Sequence, residues 1–137
     1  MSSEDTRRPD PDVVLLPDGR YRLFYFQGWF VGGKPESTHP FYSAISDDGI
    51  HFTVEDKILE VEGGGTDPTA AQLSDGSWLM AFAYTDGVRI AASPDGLAFT
   101  TQETPFPKGI PELARFEDGT LRLYIAGREG LVVQRSD

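Results

Sequence analysis

The sequence predicts an all-β protein, a β-propeller fragment of about three four-stranded antiparallel blades, the third without its outer strand. Three observations predict it. The first is a phrase written three times. Asp10-Pro11-Asp12-Val13-Val14-Leu15-Leu16-Pro17-Asp18-Gly19 precedes Tyr21-Arg22-Leu23-Phe24-Tyr25. Asp67-Pro68-Thr69-Ala70-Ala71-Gln72-Leu73-Ser74-Asp75-Gly76 precedes Trp78-Leu79-Met80-Ala81-Phe82. Pro111-Glu112-Leu113-Ala114-Arg115-Phe116-Glu117-Asp118-Gly119 precedes Leu121-Arg122-Leu123-Tyr124-Ile125. The second is an interleaved phrase, Ser46-Asp47-Asp48-Gly49-Ile50-His51-Phe52-Thr53 and Ser93-Pro94-Asp95-Gly96-Leu97-Ala98-Phe99-Thr100, with a third copy begun at Ser136-Asp137. The third is regular Gly and Pro punctuation between short apolar runs, which reads as strands and turns.

The elements follow in order. In the first repeat, strands are predicted over 13–16, 21–26, 41–46 and 52–57. The first ends at Pro17-Asp18-Gly19, where Pro pre-sets φ and Gly supplies a positive φ. The second repeat gives 69–73, 78–84, 88–93 and 99–102, with Asp86-Gly87 as the hairpin signal of its middle pair. The third gives 112–116, 121–126 and 131–135. Runs such as Tyr21-Arg22-Leu23-Phe24-Tyr25-Phe26 are apolar on both faces, as expected of a sheet covered on both sides. A β-sandwich also explains short strands, but not the repeat. Residues 1–9 read as an arm, and the blades divide at about 10–62, 63–107 and 108–137.

The spacing isolates one insertion. From Gly76 to Ser93, and from Gly119 to Ser136, is 17 residues, whereas from Gly19 to Ser46 is 27, an excess of ten. The excess falls in 27–40, with Trp29, Phe30 and His39. Per-repeat insertions map to loops on one face, often the binding face.

Composition bounds the rest. The 137 residues include no cysteine, so neither disulfides nor thiol chemistry apply. The net charge of −10 argues against nucleic acid and anionic membranes as partners. No run is long and apolar enough to span a membrane. Residues 1–8 lack the hydrophobic segment of a secretory signal, so a native N-terminus would mean a cytoplasmic location. Two His without Cys give no transition-metal set, Gly63-Gly64-Gly65 lacks the Lys-Ser/Thr of a phosphate loop, and the sequence calls for no cofactor.

The phrases resemble the blades of five-bladed propeller glycosidases: the arabinanase/β-xylosidase group, the invertase/fructosidase group and their sialidase-like relatives. The Ser-x-Asp-Gly-x-x-Phe turns also resemble the Asp-box of sialidase-type propellers, which has one more residue between Asp and Gly. The resemblance runs from Asp10 onward. It implies a carbohydrate-active protein with three catalytic carboxylates at one end of the channel. An Asp opening the first inner strand is base or nucleophile, matched by Asp10. An Asp in the next blade orients the site, matched by Asp67. A Glu from the third blade is the general acid. That acid stands two residues before its Pro, and here Gly109-Ile110-Pro111-Glu112 puts Gly109 in the slot and Glu112 one residue after Pro. Aligned on the Asp-Gly turns, Glu112 matches Asp12 and Thr69 instead.

Glycoside hydrolysis needs one protonated carboxyl and one ionised carboxylate. Asp10, Asp67 and Glu112 are the catalytic candidates, and Asp12, Trp29, Phe30 and His39 the substrate-binding ones. Each has a structural reading beside the functional one. Asp-Pro caps a strand entry through backbone N–H groups. Trp29 and Phe30 pack or stack on sugar, and His39 before Pro40 reads as a surface-loop residue. Strands alternate in direction, so the strand-one entries and the 27–40 insertion share a face. The resemblance therefore carries two functions, a glycosidase or a non-catalytic module that binds glycan or protein or only assembles. Fewer than three full blades do not close a ring. The sequence then reads either as part of a longer protein or as a homodimer completing a six-bladed ring.

Overall fold

The computed structural model describes residues 11–27, 30–31, 34–35, 38–102, 106–128 and 130–135, with the backbone alone for 30, 31, 34, 35, 132, 134 and 135. The described residues form no helix, and strands fall into successive antiparallel sheets. Blade one holds β1 (Asp12–Leu15), β2 (Tyr21–Phe26), β5 (His39–Ser46) and β6 (Thr53–Val61) in that spatial order. A hairpin of β3 (Phe30–Val31) and β4 (Lys34–Pro35) lies within the 27–40 insertion. Blade two holds β7 (Thr66–Gln72), β8 (Trp78–Tyr84), β9 (Gly87–Ser93) and β10 (Thr100–Thr101). Blade three holds β11 (Ile110–Arg115), β12 (Leu121–Gly127) and β13 (Gly130–Arg135). Three blades in chain order, each a meander from its inner strand outward, make a partial propeller.

Turn chemistry sets these registers. In each inner hairpin the Gly N–H reaches back to the strand end: Gly19 to Leu16 O at 3.0 Å, Gly76 to Leu73 O at 3.0 Å, Gly119 to Phe116 O at 2.9 Å. The Asp before each Gly accepts from the residue after it: Asp18 from Arg20 N, Asp75 from Ser77 N, Asp118 from Thr120 N. In the second phrase, Ser46 Oγ accepts from Gly49 N and Ser93 Oγ from Gly96 N, both at 2.9 Å. Trp78 lies against the second of these turns. A Cβ on Gly96, at φ +80°, would stand 2.9 Å from Trp78 Nε1, so only glycine admits the ring there.

The blades stack face to face. Between blades one and two the contact is aromatic. Phe24 meets Trp78 edge-on at 5.5 Å and Phe41 meets Phe82 edge-on at 5.4 Å, with Ile58, Met80 and Phe99 filling around them. Between blades two and three it is aliphatic and graded in size: Ala71, Ala81 and Val88 face Leu113, Leu123 and Ile125. Small residues on one sheet opposite large ones on the other let the sheets approach closely.

Two outer strands differ from expectation. The fourth strand of blade one runs on to Val61 because Ile58 and Val61 are buried, and two register shifts against β5 turn them inward. The fourth strand of blade two is cut to two residues. Phe99 leaves the ladder, donates its N–H to Ile58 O of blade one at 2.9 Å and buries its ring beside Phe24.

Among the described residues one buried side-chain group is unsatisfied. Ser43, opposite Phe24 on β5, is fully buried, and its hydroxyl has no hydrogen-bond partner. A buried unpaired hydroxyl costs stability that its removal returns. Ser43→Ala is therefore expected to raise stability by about 1 kcal/mol in urea unfolding; a loss of similar size would show the hydroxyl to be bonded.

Candidate functional site

The inner strands β1, β7 and β11 stand side by side and line a cleft of about 530 Å³. Its polar side chains are Asp12, Gln72, Glu112 and Arg115, set among Val14, Leu15, Ala71 and Leu113. The strands are tied across the blades. Asp12 Oδ2 accepts from Ala70 N at 2.8 Å, and Thr69 Oγ1 accepts from Leu113 N at 3.0 Å. Arg115 Nη1 donates to Gln72 O at 3.2 Å and Nη2 to Ser74 Oγ at 3.4 Å.

Asp12 and Glu112 are electrostatically joined. Burial raises the Asp12 carboxyl above its ordinary value, against the N–H of Ala70, the hydroxyl of Thr69 and the N–H of Val13, which favour its charge. Burial also raises Glu112, and the negative charge of Asp12 raises it further. Glu112 thus titrates in the field of the Asp12 carboxylate. Glu112 keeps solvent access, which screens that field.

The other sequence candidates are placed differently. Asp67 is at the entry of β7 with φ +52°, the one non-glycine left-handed backbone among the described residues. It sits in the register break between Thr66 and Thr69, and its carboxylate accepts from Thr66 Oγ1 at 2.9 Å. It does not line the cleft of Asp12 and Glu112. His39 is not on a surface loop: it begins β5 and is wholly buried. Its ring stacks on Phe26 at 5.3 Å, and Nδ1 donates to Gly65 O at 2.8 Å. That bond ties blade one to the segment entering β7, two residues before Asp67. The preceding Thr38 is exposed, so the burial begins where the strand begins. Asp10 and Trp29 lie outside the described residues, as does the side chain of Phe30.

The fold has known counterparts. No family model matches the sequence, and no curated protein sequence does. Solved structures do match. RS223 β-xylosidase superposes with a TM-score of 0.70 at 19% identity, over 89% of this chain and 44% of that one. The GH43_1 enzyme from Xanthomonas citri, complexed with xylotriose, gives 0.70 at 17% identity over 89% and 40%. The endo-arabinase from Bacteroides thetaiotaomicron gives 0.70 at 14% over 93% and 55%. The chain has, in part, the β-propeller fold of these structures. It spans about half the length of these neighbours.

Within that fold, Gly109 stands where the resemblance places the acid. A Cβ there would lie 2.5 Å from Ala126 O and 2.7 Å from Ile125 Cγ2. Backbone blocks the position, so no side chain fits there as the strands stand. Glu112 is three residues further on, an odd step that puts it on the other face of the strand from Gly109, and it lines the cleft together with Asp12. Thr69, the Ala70 amide and Arg115 are participants that residue type alone did not single out. Alignment on the Asp-Gly turns carries the signal, because it puts Asp12, Thr69 and Glu112 in one slot.

Three variants check this site by urea unfolding. Asp12→Ala leaves the Ala70 N–H without its acceptor and is expected to cost about 1–3 kcal/mol. Asp12→Asn keeps an oxygen for that N–H and removes the buried charge. Asp12 holds its proton longer folded than unfolded, so its charging takes stability away as pH rises above its ordinary 3.8. The Asn variant should match the native chain near pH 3.5 and exceed it at pH 7 in urea midpoint, to the extent set by that shift. Gly109→Ala should cost about 1–3 kcal/mol through forced displacement of β12, read from the same unfolding curves.

Proposed function

We propose that this chain is a glycosidase-type propeller module that binds an oligosaccharide in the cleft between its inner strands without hydrolysing it. The observation that carries the proposal is the cleft itself, with Asp12 on β1 and Glu112 and Arg115 on β11 set among apolar side chains of the inner strands. Carboxylates accept from sugar hydroxyls, guanidinium donates to ring and hydroxyl oxygens, and the aliphatic strand faces offer contact to C–H surfaces. The xylotriose complex of the Xanthomonas citri enzyme supports an oligosaccharide as the class of ligand.

Three features favour binding over turnover. The expected acid position is a glycine that admits no side chain. Asp67 stands outside the cleft. Asp12 spends one carboxylate oxygen on the Ala70 N–H. A hydrolase is the second reading, favoured by one observation: burial, and after it the charge of Asp12, favour the protonated form of Glu112, and a proton donor beside a second carboxylate is what glycoside cleavage requires.

The test pairs calorimetry with turnover, using xylo- and arabino-oligosaccharides and their chromogenic glycosides. The proposal predicts binding that Glu112→Gln and Arg115→Ala weaken by about tenfold each, with no release of chromophore. Chromophore release abolished by Glu112→Gln would establish the hydrolase instead, and neither binding nor release would remove carbohydrate from the account.

A further inference from the structure

The inner strands repeat one bond. Counted back from the Asp-Gly turns, Asp12, Thr69 and Glu112 occupy one position, and Val13, Ala70 and Leu113 the next. The side chain at the first position of a blade accepts the N–H at the second position of the blade that follows: Asp12 from Ala70 at 2.8 Å, Thr69 from Leu113 at 3.0 Å. Each blade thus presents an acceptor forward and a donor backward. Two members of the series are left over. Glu112 is the forward acceptor of blade three, and among the described residues no hydrogen bond holds its carboxylate. Val13 carries the backward N–H of blade one, which among the described residues interacts only with the carboxylate of its own neighbour Asp12.

The faces around these two groups are apolar and uncovered. Strand register puts Glu112 with Tyr124 and Val133 on the side of blade three turned away from blade two. Ile110, Leu131 and Val133 on that side are 60%, 64% and 48% exposed. Register likewise puts Val13 with Leu23, and Leu15 with Tyr21, on the side of blade one turned away from blade two. Val13 and Leu15 are 50% and 64% exposed. Blade two is covered on both faces by the same kind of surface.

We propose that two copies of this chain close on one another, blade three of each against blade one of the other, with the Glu112 carboxylate accepting the N–H of the partner's Val13. The contact continues a series already present twice within the chain, and both of its complementary ends belong to this one molecule. Twofold symmetry makes the contact twice and gives a ring of six blades. The clasp leaves Glu112 in the channel wall, as Asp12 lines the cleft while holding Ala70. Ring closure does not depend on the nature of the ligand.

Light scattering of the 137-residue chain at micromolar concentration tests the proposal. The expected mass is twice 15.1 kDa. Glu112→Ala should raise the dimer dissociation constant by about tenfold to a hundredfold, two bonds being lost per dimer. Glu112→Gln keeps an acceptor oxygen and should leave the constant within about threefold of native, and Leu131→Asp should give folded monomers by circular dichroism. A native monomer would overturn the proposal. So would a dimer that Glu112→Ala leaves unchanged. Sugar binding is read separately and can fail without moving these masses.

Discussion

The structure rests on a hydrogen bond between neighbouring inner strands that no sheet ladder provides. Within each blade the strands are joined by ladder hydrogen bonds. What fixes one blade against the next is side-chain packing, together with an acceptor on one inner strand and an N–H on the next. Packing alone is tolerant of sliding, because apolar contact has no direction. A bond of 2.8 Å to a single amide fixes height along the channel. It therefore sets which residues of β1, β7 and β11 stand level, and so which side chains share the cleft.

That constraint decides how the acidic residues divide. Most of the aspartates highlighted by the repeat serve turns. Asp18, Asp48, Asp75 and Asp95 each accept from backbone N–H groups just beyond them, and their carboxyls are held below the ordinary range by side-chain and backbone hydrogen bonds. Asp12 and Glu112 move the other way: burial outweighs the hydrogen bonds of Asp12, and burial together with the charge of Asp12 raises Glu112. The channel is thus the one place among the described residues where carboxyls are pushed towards neutrality.

The repeat made the fold legible. Strands 21–26 and 78–84 are found where apolar runs between Gly turns put them, since turn residues and strand period agree there. The outer strands were less legible because tertiary packing sets them: Phe99 abandons its ladder for the Phe24 pocket, and Ile58 and Val61 extend β6 by way of bulges. The site was legible in part. Glu112 and Asp12 were visible as carboxylates, and their level placement follows from the repeat. His39 was misread because a His before Pro looks like loop, whereas the strand begins at that residue and the Gly65 carbonyl supplies a buried partner. The role of Thr69 was hidden because its chemistry appears only when three blades are side by side.

Native-state amide hydrogen exchange at Ala70 and Leu113 tests the inter-strand bonds most directly. Both amides point out of their own sheets towards side chains, so a ladder gives them no protection. If the clasps organise the channel, both exchange only through large-scale opening, and Asp12→Ala releases Ala70 while leaving Leu113 protected. Fast exchange at both amides in the native chain would mean that packing alone sets the blades and that the clasps do not hold them.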